Sequence, residues 1–451
     1  METAHKNQII EGVIWKQLLI FFFPIVLGTF FQQLYNTVDT VIVGRFVGKE
    51  ALASVGGSAG QLVNLVVGFF TGLTSGAAVV VSQFWGAKDR KNIEKSIHTA
   101  YAFSIAAGLL ITVLGMLLTP VFLRWMNTPE GLMPGSILYL RIYYGGILFT
   151  FIFNTGSSIL RATGDSRRPL YYLIVCCILN IVLDILFVLL CGLGIAGVSI
   201  ATVLSQAVSA CLVTRALTRA DKESGLRLRL QDLHFARGIL RSQLYIGVPT
   251  GLQSTMYSIS NIIIQATLNR FGTDTVAAWA AFWKLDAIYW MISSAFGIAV
   301  TTFVGQNYGA LKYQRIKKSV WVCAGMQVVS SLVLSVVMVI FRAPLLGIFT
   351  TDRQVLEIGF MMILILTPFY AVFTPVEVLS GALRGIGDVM IPTVITICGV
   401  CVLRIIWVMT AVPVRHEVST IMVGYPVTWL LSGIAFIVYY ACRMRGFGKN
   451  R

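Results

Sequence analysis

The sequence predicts an all-α polytopic membrane protein with twelve transmembrane helices in two pseudo-symmetric six-helix lobes. Of the 451 residues, 57% are hydrophobic and only 12% are charged, and the mean hydropathy is +0.80. A soluble domain carries roughly 25% charged residues, so this chain has too little polar surface to cover a water-soluble globule. The other two observations are a regular series of long apolar runs and an internal repeat.

The apolar runs are long enough to cross a membrane as helices. A helix of about 20 apolar residues spans the ~30 Å hydrocarbon core of a bilayer. Short polar connections separate the runs, apart from one longer polar segment near the middle of the chain. The twelve predicted spans cover residues 15–43, 52–83, 97–119, 133–158, 169–190, 194–214, 241–268, 277–304, 318–342, 356–382, 391–413 and 418–441.

The basic residues are distributed unequally between alternate connections. The set that contains both termini holds 25 Lys and Arg residues, and the opposite set holds 7. Because basic residues accumulate on the cytoplasmic side, both termini are predicted to be cytoplasmic, which requires an even number of spans. The net charge of +16 therefore indicates topology and not a nucleic-acid partner. We expect a multi-pass protein of a bacterial inner membrane.

Two separated segments repeat at one offset. Residues 81–97 align without gaps on residues 304–320, and residues 160–169 align on residues 383–392, both at an offset of 223. A repeat of six spans enters the membrane twice with the same orientation, so the halves should be related by an axis along the membrane normal. The predicted organisation is an N-terminal lobe over 1–214, a cytoplasmic linker over 215–240 and a C-terminal lobe over 241–451.

In the first lobe, two predicted spans contain acidic side chains. Asp39 lies in span 1 and Asp184 in span 5, where Asn180 precedes it by four residues and so shares its helix face. Charges at this depth are costly and usually functional. Carboxylate, amide and hydroxyl oxygens suit a small hard cation such as Na⁺, and the same carboxylates could instead carry protons. The alternative is that both aspartates only hold helices together.

The second lobe lacks this pattern and carries a different set of charges. Lys284 and Asp286 lie in span 8, Glu377 in span 10 and Arg404 in span 11. These residues either form a structural network, with Lys284 paired to Asp286 and Glu377 to Arg404, or provide a substrate or second proton site. The sequence leaves both interpretations open.

Polar, aromatic and methionine side chains inside the spans are candidates for lining a substrate cavity, because flat amphipathic cations bind such surfaces. The substrate-cavity candidates are Asn36, Asn154, Met256, Asn261, Trp283, Asp286 and Glu377.

Pro24 and Gly28 in span 1 are candidates for a conformational hinge, since proline kinks a helix and glycine adds conformational freedom.

The repeated motifs also resemble a known family. The pattern Q-x-x-G-A begins at Gln83 and Gln306, and L-R-x-x-G-D-x-x-x-P begins at Leu160 and Leu383. Together these motifs resemble the multidrug and toxic compound extrusion (MATE) family over nearly the whole chain. The resemblance implies a secondary active transporter, not an enzyme, that exports amphipathic, often cationic, organic compounds in exchange for inward Na⁺ or H⁺ by alternating access.

The resemblance also implies a cation site. In the DinF-like branch of the family, an Asp in span 1, an Asn-x-x-x-Asp in span 5 and a Thr in span 6 bind the coupling cation. Asp39, Asn180, Asp184 and Thr202 match this pattern residue by residue. We therefore expect Na⁺ or H⁺ at these four residues, no other cofactor, and a monomer whose partners are the lipid bilayer and small amphipathic substrates.

Three other functions are considered. A polyprenyl-lipid-linked sugar flippase of the same superfamily would need several basic residues in its cavity, whereas only Lys284 and Arg404 lie deep within spans. An integral-membrane enzyme would need a catalytic cluster, and the four histidines lie at span ends or in loops. A passive channel would not require two unequal lobes.

Overall fold

A computed structural model describes residues 7–446, and within this range the chain folds into helices joined by turns, with no strands. Residues 1–6 and 447–451, which include both of the predicted cytoplasmic termini, lie outside the described residues. The long helices are α1 Ile14–Val47, α2 Lys49–Gly86, α3 Arg90–Trp125, α4 Glu130–Ala162, α5 Arg167–Leu190, α6 Gly194–Thr218, α7 Arg237–Leu268, α8 Thr273–Gly309, α9 Tyr313–Ile340, α10 Arg353–Gly385, α11 Met390–Val414 and α12 Val418–Arg445.

Each predicted span corresponds to one of these helices, which confirms the polytopic all-α fold. Within the described residues, eleven of the helices are both long enough and apolar enough to cross a membrane. The remaining one, α7, has 32 residues and an internal Pro249. At 1.5 Å per residue it is about 48 Å long, but polar residues such as Gln253, Asn261 and Gln265 make it less apolar.

Unusual backbone conformations recur at the same offset of 223 residues as the repeated sequence segments. Lys88 and Leu311, 223 residues apart, both adopt positive φ angles, of 56° and 58°. Such a conformation is uncommon for residues other than glycine. Gly164 and Gly387, also 223 residues apart, have φ angles of 97° and 88°, at the turn of the repeated G-D motif. The two halves therefore share local geometry where their sequences match.

Several helices contain non-α turns. The helix α1 ends in a π-helical segment, Val43–Val47, and α5 ends in another, Ile185–Leu190, which begins directly after Asp184. Single π turns inside helices are frequent at functional sites.

The hinge candidate Pro24 lies inside the continuous first segment of α1. A Cβ atom on Gly28 would lie 3.1 Å from Leu173 Cδ1, so Gly28 allows α1 to approach α5 closely.

The chain forms two compact units. The N-unit comprises residues 23–251, and the C-unit comprises residues 7–22 together with 252–446. These bounds differ from the predicted lobes, because the start of α1 belongs to the C-unit and the start of α7 to the N-unit. The boundaries fall within two residues of Pro24 and Pro249. The division into two six-helix lobes with a linker remains a prediction.

Close glycine contacts hold the start of α7 in the N-unit. A Cβ atom on Gly72 would lie 2.4 Å from the Cα atom of Gly251, and one on Gly76 would lie 2.1 Å from the carbonyl oxygen of Gln243. Gly72 and Gly76 on α2 and Gly247 and Gly251 on α7 form two G-x-x-x-G pairs. Such small-residue motifs let membrane helices approach through their backbones, so α2 and α7 cross at a distance that a larger residue would prevent.

In the C-unit, aromatic contacts hold the start of α1. The ring of Phe22 stacks on that of Phe296 with centroids 4.2 Å apart, and Phe21 contacts Phe303 edge-on at 6.1 Å. The short N-terminal segment also contacts α8 and α9, since Asn7 donates to Gln306 at 3.0 Å and Arg315 donates to the carbonyl oxygen of Ile9. The start of α1 is thus packed against α8 and the beginning of α9.

The connection between α6 and α7 is packed against the N-unit. Leu226 and Leu228 are buried. The backbone N–H of Arg229 donates to Nε2 of His98 at 3.1 Å, and the N–H of Ala236 donates to Oγ1 of Thr99 at 3.2 Å. Because both acceptors lie on α3, this basic segment is fixed along that helix.

Candidate cation and substrate sites

The four residues predicted to bind a cation come together in the N-unit. Asn180 and Asp184 are 1% and 0% exposed on α5, and Thr202 on α6 donates to the Val198 carbonyl at 3.0 Å. The side chains of Asp184, Thr202 and Asn180 all lie beside the carboxyl group of Asp39 on α1. Three helices therefore place two carboxyl groups, one amide and one hydroxyl at a single point.

Apart from the Thr202 hydroxyl, most polar atoms at this point lack well-formed hydrogen bonds. Oδ1 of Asp39, both carboxyl oxygens of Asp184 and both amide atoms of Asn180 are buried without a hydrogen-bond partner. A buried polar atom without a partner costs free energy, on the order of 1–3 kcal/mol each. Two adjoining carboxylates also repel each other unless a positive charge lies between them. This donor set, rich in hard oxygen atoms, fits a small cation or a shared proton.

Two further residues beside this cluster were not among the predicted ligands. Tyr35 lies one helical turn before Asp39 and is 6% exposed. Gln206 on α6 donates from Nε2 to the Tyr35 hydroxyl at 3.4 Å. Two spacings of four residues in the sequence, Tyr35 to Asp39 and Thr202 to Gln206, place these side chains on the same helix faces as the predicted ligands. Of the N-unit's cavity candidates, Asn36 is exposed and Asn154 is half-buried.

In the C-unit, Asp286 is enclosed by aromatic side chains. The carboxyl group is 6% exposed at the residue level; the Tyr370 hydroxyl donates to its Oδ1 at 2.5 Å and the Trp290 indole donates to its Oδ2 at 2.7 Å. The ring of Tyr370 stacks on that of Tyr289 at 3.9 Å. Both oxygen atoms of Asp286 are therefore engaged within the protein.

The ion pairs that the sequence left open do not form. In residues 7–446, no ion pair joins Lys284 to Asp286 or Glu377 to Arg404. Residues two apart on a helix do not face each other, which explains the first case. The guanidinium of Arg404 instead lies 4.0 Å from the centroid of the Tyr425 ring.

Glu377 occupies a position that depends on a glycine. A Cβ atom on Gly297 of α8 would lie 1.9 Å from Oε1 of Glu377. The carboxyl group therefore rests directly on the backbone of α8, where any other residue would displace it. No local sequence pattern indicates this contact, because the two residues are 80 positions apart.

A separate cavity of about 270 Å³ lies in the C-unit. It brings together two of the predicted substrate-cavity residues, Asn261 and Trp283, whereas Met256, Asp286 and Glu377 do not line it. We name it the α7–α8 cavity. Its lining residues are Asn261, Gln265, Trp279, Ala280, Trp283, Lys284 and Tyr425.

Comparison with known families identifies the chain. The family model described as MatE matches residues 24–186 and again residues 249–410, which agrees with the internal repeat. The chain belongs to the MatE family. The members of this family are transporters, and the resemblance that the sequence motifs indicated is confirmed at the level of the family. Its assignment to the DinF-like branch remains a prediction.

Similar MatE relatives cover nearly the whole chain. The Bacillus subtilis protein named "Probable multidrug resistance protein YoeA" is 29% identical, over 98% of this chain and 97% of its own length. The Thermotoga maritima protein named "Probable multidrug resistance protein NorM" is 25% identical, over 86% and 84%. A Shewanella oneidensis protein named "FAD transporter" is 25% identical, over 95% of both chains.

Solved MatE-type structures share the fold. A MOP superfamily transporter from Pyrococcus furiosus superposes with a TM-score of 0.92 at 21% identity, covering 100% of both chains. An outward-facing multidrug resistance MATE family transporter superposes with a TM-score of 0.91, also at 21% identity and full coverage. These likenesses show that the chain has the same helical fold as these structures, and the family match supports a multi-pass membrane protein.

Proposed function

We propose that this MatE-family chain is a secondary active multidrug efflux transporter that exports amphipathic, often cationic, organic compounds in exchange for inward Na⁺ or H⁺. The observation that carries the coupling part of the proposal is the cluster of Asp39, Asn180, Asp184 and Thr202, with its buried oxygen atoms that lack partners. The names of the Bacillus and Thermotoga relatives support multidrug substrates.

In this mechanism the coupling ion binds to one state of the transporter better than to the other. Na⁺ would be held by the oxygen atoms of the four residues, whereas H⁺ would be held by the Asp39 and Asp184 pair. Ion binding removes the repulsion between the two carboxylates, so the occupied cluster favours a closer approach of α1 to α5 and α6. Pro24 and Gly28 are the proposed hinge through which α1 responds.

An experiment on everted membrane vesicles tests the coupling. An ethidium-like dye is offered outside, and either a Na⁺ gradient or a pH gradient is imposed alone, with the other ion equal on both sides. One of the two gradients should drive dye accumulation in vesicles that contain the protein. If neither gradient drives uptake but the chain rescues a strain deficient in translocating lipid-linked sugars, the flippase is the better interpretation.

We also propose that the protein acts as a monomer in a bacterial inner membrane with both termini cytoplasmic. The basic bias between alternate connections supports this orientation. In a cysteine-free background, a membrane-impermeant maleimide added to intact cells should label Arg124→Cys and should leave Lys88→Cys unlabelled. The reverse pattern would invert the topology.

A further inference from the structure

We propose that the α7–α8 cavity binds aromatic anions, such as an aromatic carboxylate, in preference to aromatic cations. The binding preference stands on the C-unit alone, whereas its use in export rests on the proposed function. By the proposed topology, the connection between α7 and α8 is external, so the cavity lies toward the outer ends of these helices.

The charge of the cavity is positive. Lys284 is the only charged side chain among its described lining residues. The nearest acid in sequence, Asp286, has both carboxyl oxygens engaged by Tyr370 and Trp290, and no ion pair in the described residues includes Lys284. The Lys284 side chain is exposed, so its ammonium group is accessible to a ligand and has no counter-ion within the described residues. An anionic ligand would supply that counter-ion.

A second cation lies behind the cavity wall. Arg404 is 3% exposed, and its Nε and Nη2 atoms are buried without a hydrogen-bond partner. Its guanidinium covers the ring of Tyr425, which itself lines the cavity. One face of that ring is thus already occupied by a cation. Asp286 lies close enough to Arg404 to offset part of its charge, so Lys284 supplies most of the repulsion toward an organic cation in the cavity and most of the attraction for an anion.

The other lining residues suit a flat ring with a polar group. Trp279 and Trp283 lie with ring centroids 5.3 Å apart and an interplanar angle of 46°, which gives aromatic surfaces for stacking. Asn261 and Gln265 lie one turn apart on α7 and carry amide N–H donors. A cavity of about 270 Å³ is close to the lower size limit of small-molecule sites, so one small ring system fits better than a large drug.

Three ligands with the same ring but different charge test the preference. Binding of 2-naphthoate, 2-naphthylmethanol and 2-naphthylmethylammonium to the purified full-length protein is measured by equilibrium dialysis, with protein-free detergent micelles as the blank. A charge-assisted contact in a partly dry site predicts that naphthoate binds about tenfold more tightly than the ammonium compound. Equal affinities, or tighter binding of the ammonium compound, would overturn the proposal.

Substitutions locate the preference within the cavity. Lys284→Met should weaken naphthoate binding about tenfold and leave naphthylmethanol binding nearly unchanged, whereas Lys284→Arg should keep the preference. Lys318→Met, which removes an exposed lysine near the beginning of α9 in the same unit, is the charge-matched control and should bind like wild type. Lys284→Gln replaces Lys284→Met if the latter fails to fold. An anion preference that survives both charge-removing variants would place the site elsewhere.

The outcome is independent of the proposed export. Binding is measured on the purified protein without a gradient and without the dye, so the result does not depend on coupled transport. A protein that prefers naphthoate but accumulates no dye under either gradient contradicts only the export mechanism. A protein that exports dye but shows no anion preference contradicts only the cavity proposal.

Discussion

The two units bury carboxyl groups in opposite ways. In the N-unit, Asp184 is fully buried beside Asp39 and neither of its oxygen atoms receives a hydrogen bond. In the C-unit, Asp286 is equally enclosed, but a tyrosine hydroxyl and an indole N–H donate to its two oxygen atoms. Both residues are buried aspartates, and they differ in whether the protein supplies hydrogen-bond donors to their carboxyl oxygens.

In the proposed mechanism, this difference separates a carboxyl group that binds the coupling ion from one that stabilises the fold. Donors supplied by the protein compensate a buried carboxyl group permanently, and removing it leaves those donors without a partner. A carboxyl group that has no donor must be compensated by something that arrives from outside, such as a cation or a proton. Burial alone therefore does not distinguish the two carboxyl groups, and the lack of donors is the feature on which the proposed coupling site rests.

The largest expected effect is on coupled transport. Asp39→Asn and Asp184→Asn should each reduce gradient-driven dye uptake to the background of empty vesicles, because each removes a charge that the coupling ion must neutralise. Glu377→Gln, which changes a carboxyl group of the C-unit, is the matched control and should retain uptake. Normal uptake by Asp184→Asn together with inactive Glu377→Gln would place the coupling site in the other unit.

The next effect is on stability. The substitution in the C-unit should lower the free energy of unfolding more than the substitution in the N-unit. Asp286→Ala leaves the Tyr370 hydroxyl and the Trp290 indole N–H buried without an acceptor, so it should lower the free energy of unfolding by about 2–5 kcal/mol. Asp184→Asn removes no hydrogen bond within the protein and should change it by less than about 1 kcal/mol. Thermal unfolding of the purified variants in one detergent compares them. A larger loss for Asp184→Asn would show that the N-unit pair is structural.

The smallest effect concerns the neutral ligands of the cation. Thr202→Ala and Asn180→Ala each delete one uncharged oxygen and leave both carboxyl groups, so they should weaken apparent ion affinity by about three- to tenfold. The measurement is dye uptake against Na⁺ concentration at fixed pH, or against external pH if the ion is H⁺. Ser199→Ala, which removes a hydroxyl one turn earlier on α6, is the control. An unchanged affinity in both ligand variants would reduce the site to the carboxylates alone.

The helices and the pairing of Asn180 with Asp184 could be predicted because their signals are local. Apolar runs fixed the twelve spans to within a few residues, and the spacing of Asn180 and Asp184 on one helix already placed them on one face. The grouping of Asp39 with them required the family resemblance, since no local pattern relates α1 to α5. The limits of the compact units were missed because the glycine pairs of α2 and α7 resemble ordinary small residues of any membrane helix.

The C-unit charges could not be assigned from the sequence for a physical reason. The donor to Asp286 from α10, Tyr370, is 84 residues away, and a tyrosine in an apolar span is equally typical of packing. Pairing Lys284 with Asp286 was attractive by proximity in sequence, but a spacing of two places them on different sides of α8. Only the folded chain reveals that Arg404 lies on the Tyr425 ring and that Glu377 rests on Gly297.

The exchange of helix starts between the units bears on whether the halves can exist separately. A polypeptide cut within the α6–α7 connection would yield a first fragment that lacks the α7 turns with Gly247 and Gly251, against which its own Gly72 and Gly76 pack. The second fragment would lack the α1 turns whose Phe21 and Phe22 cover α8. Each fragment would expose a gap shaped for the other, so the halves should assemble by complementation and not as two independent domains.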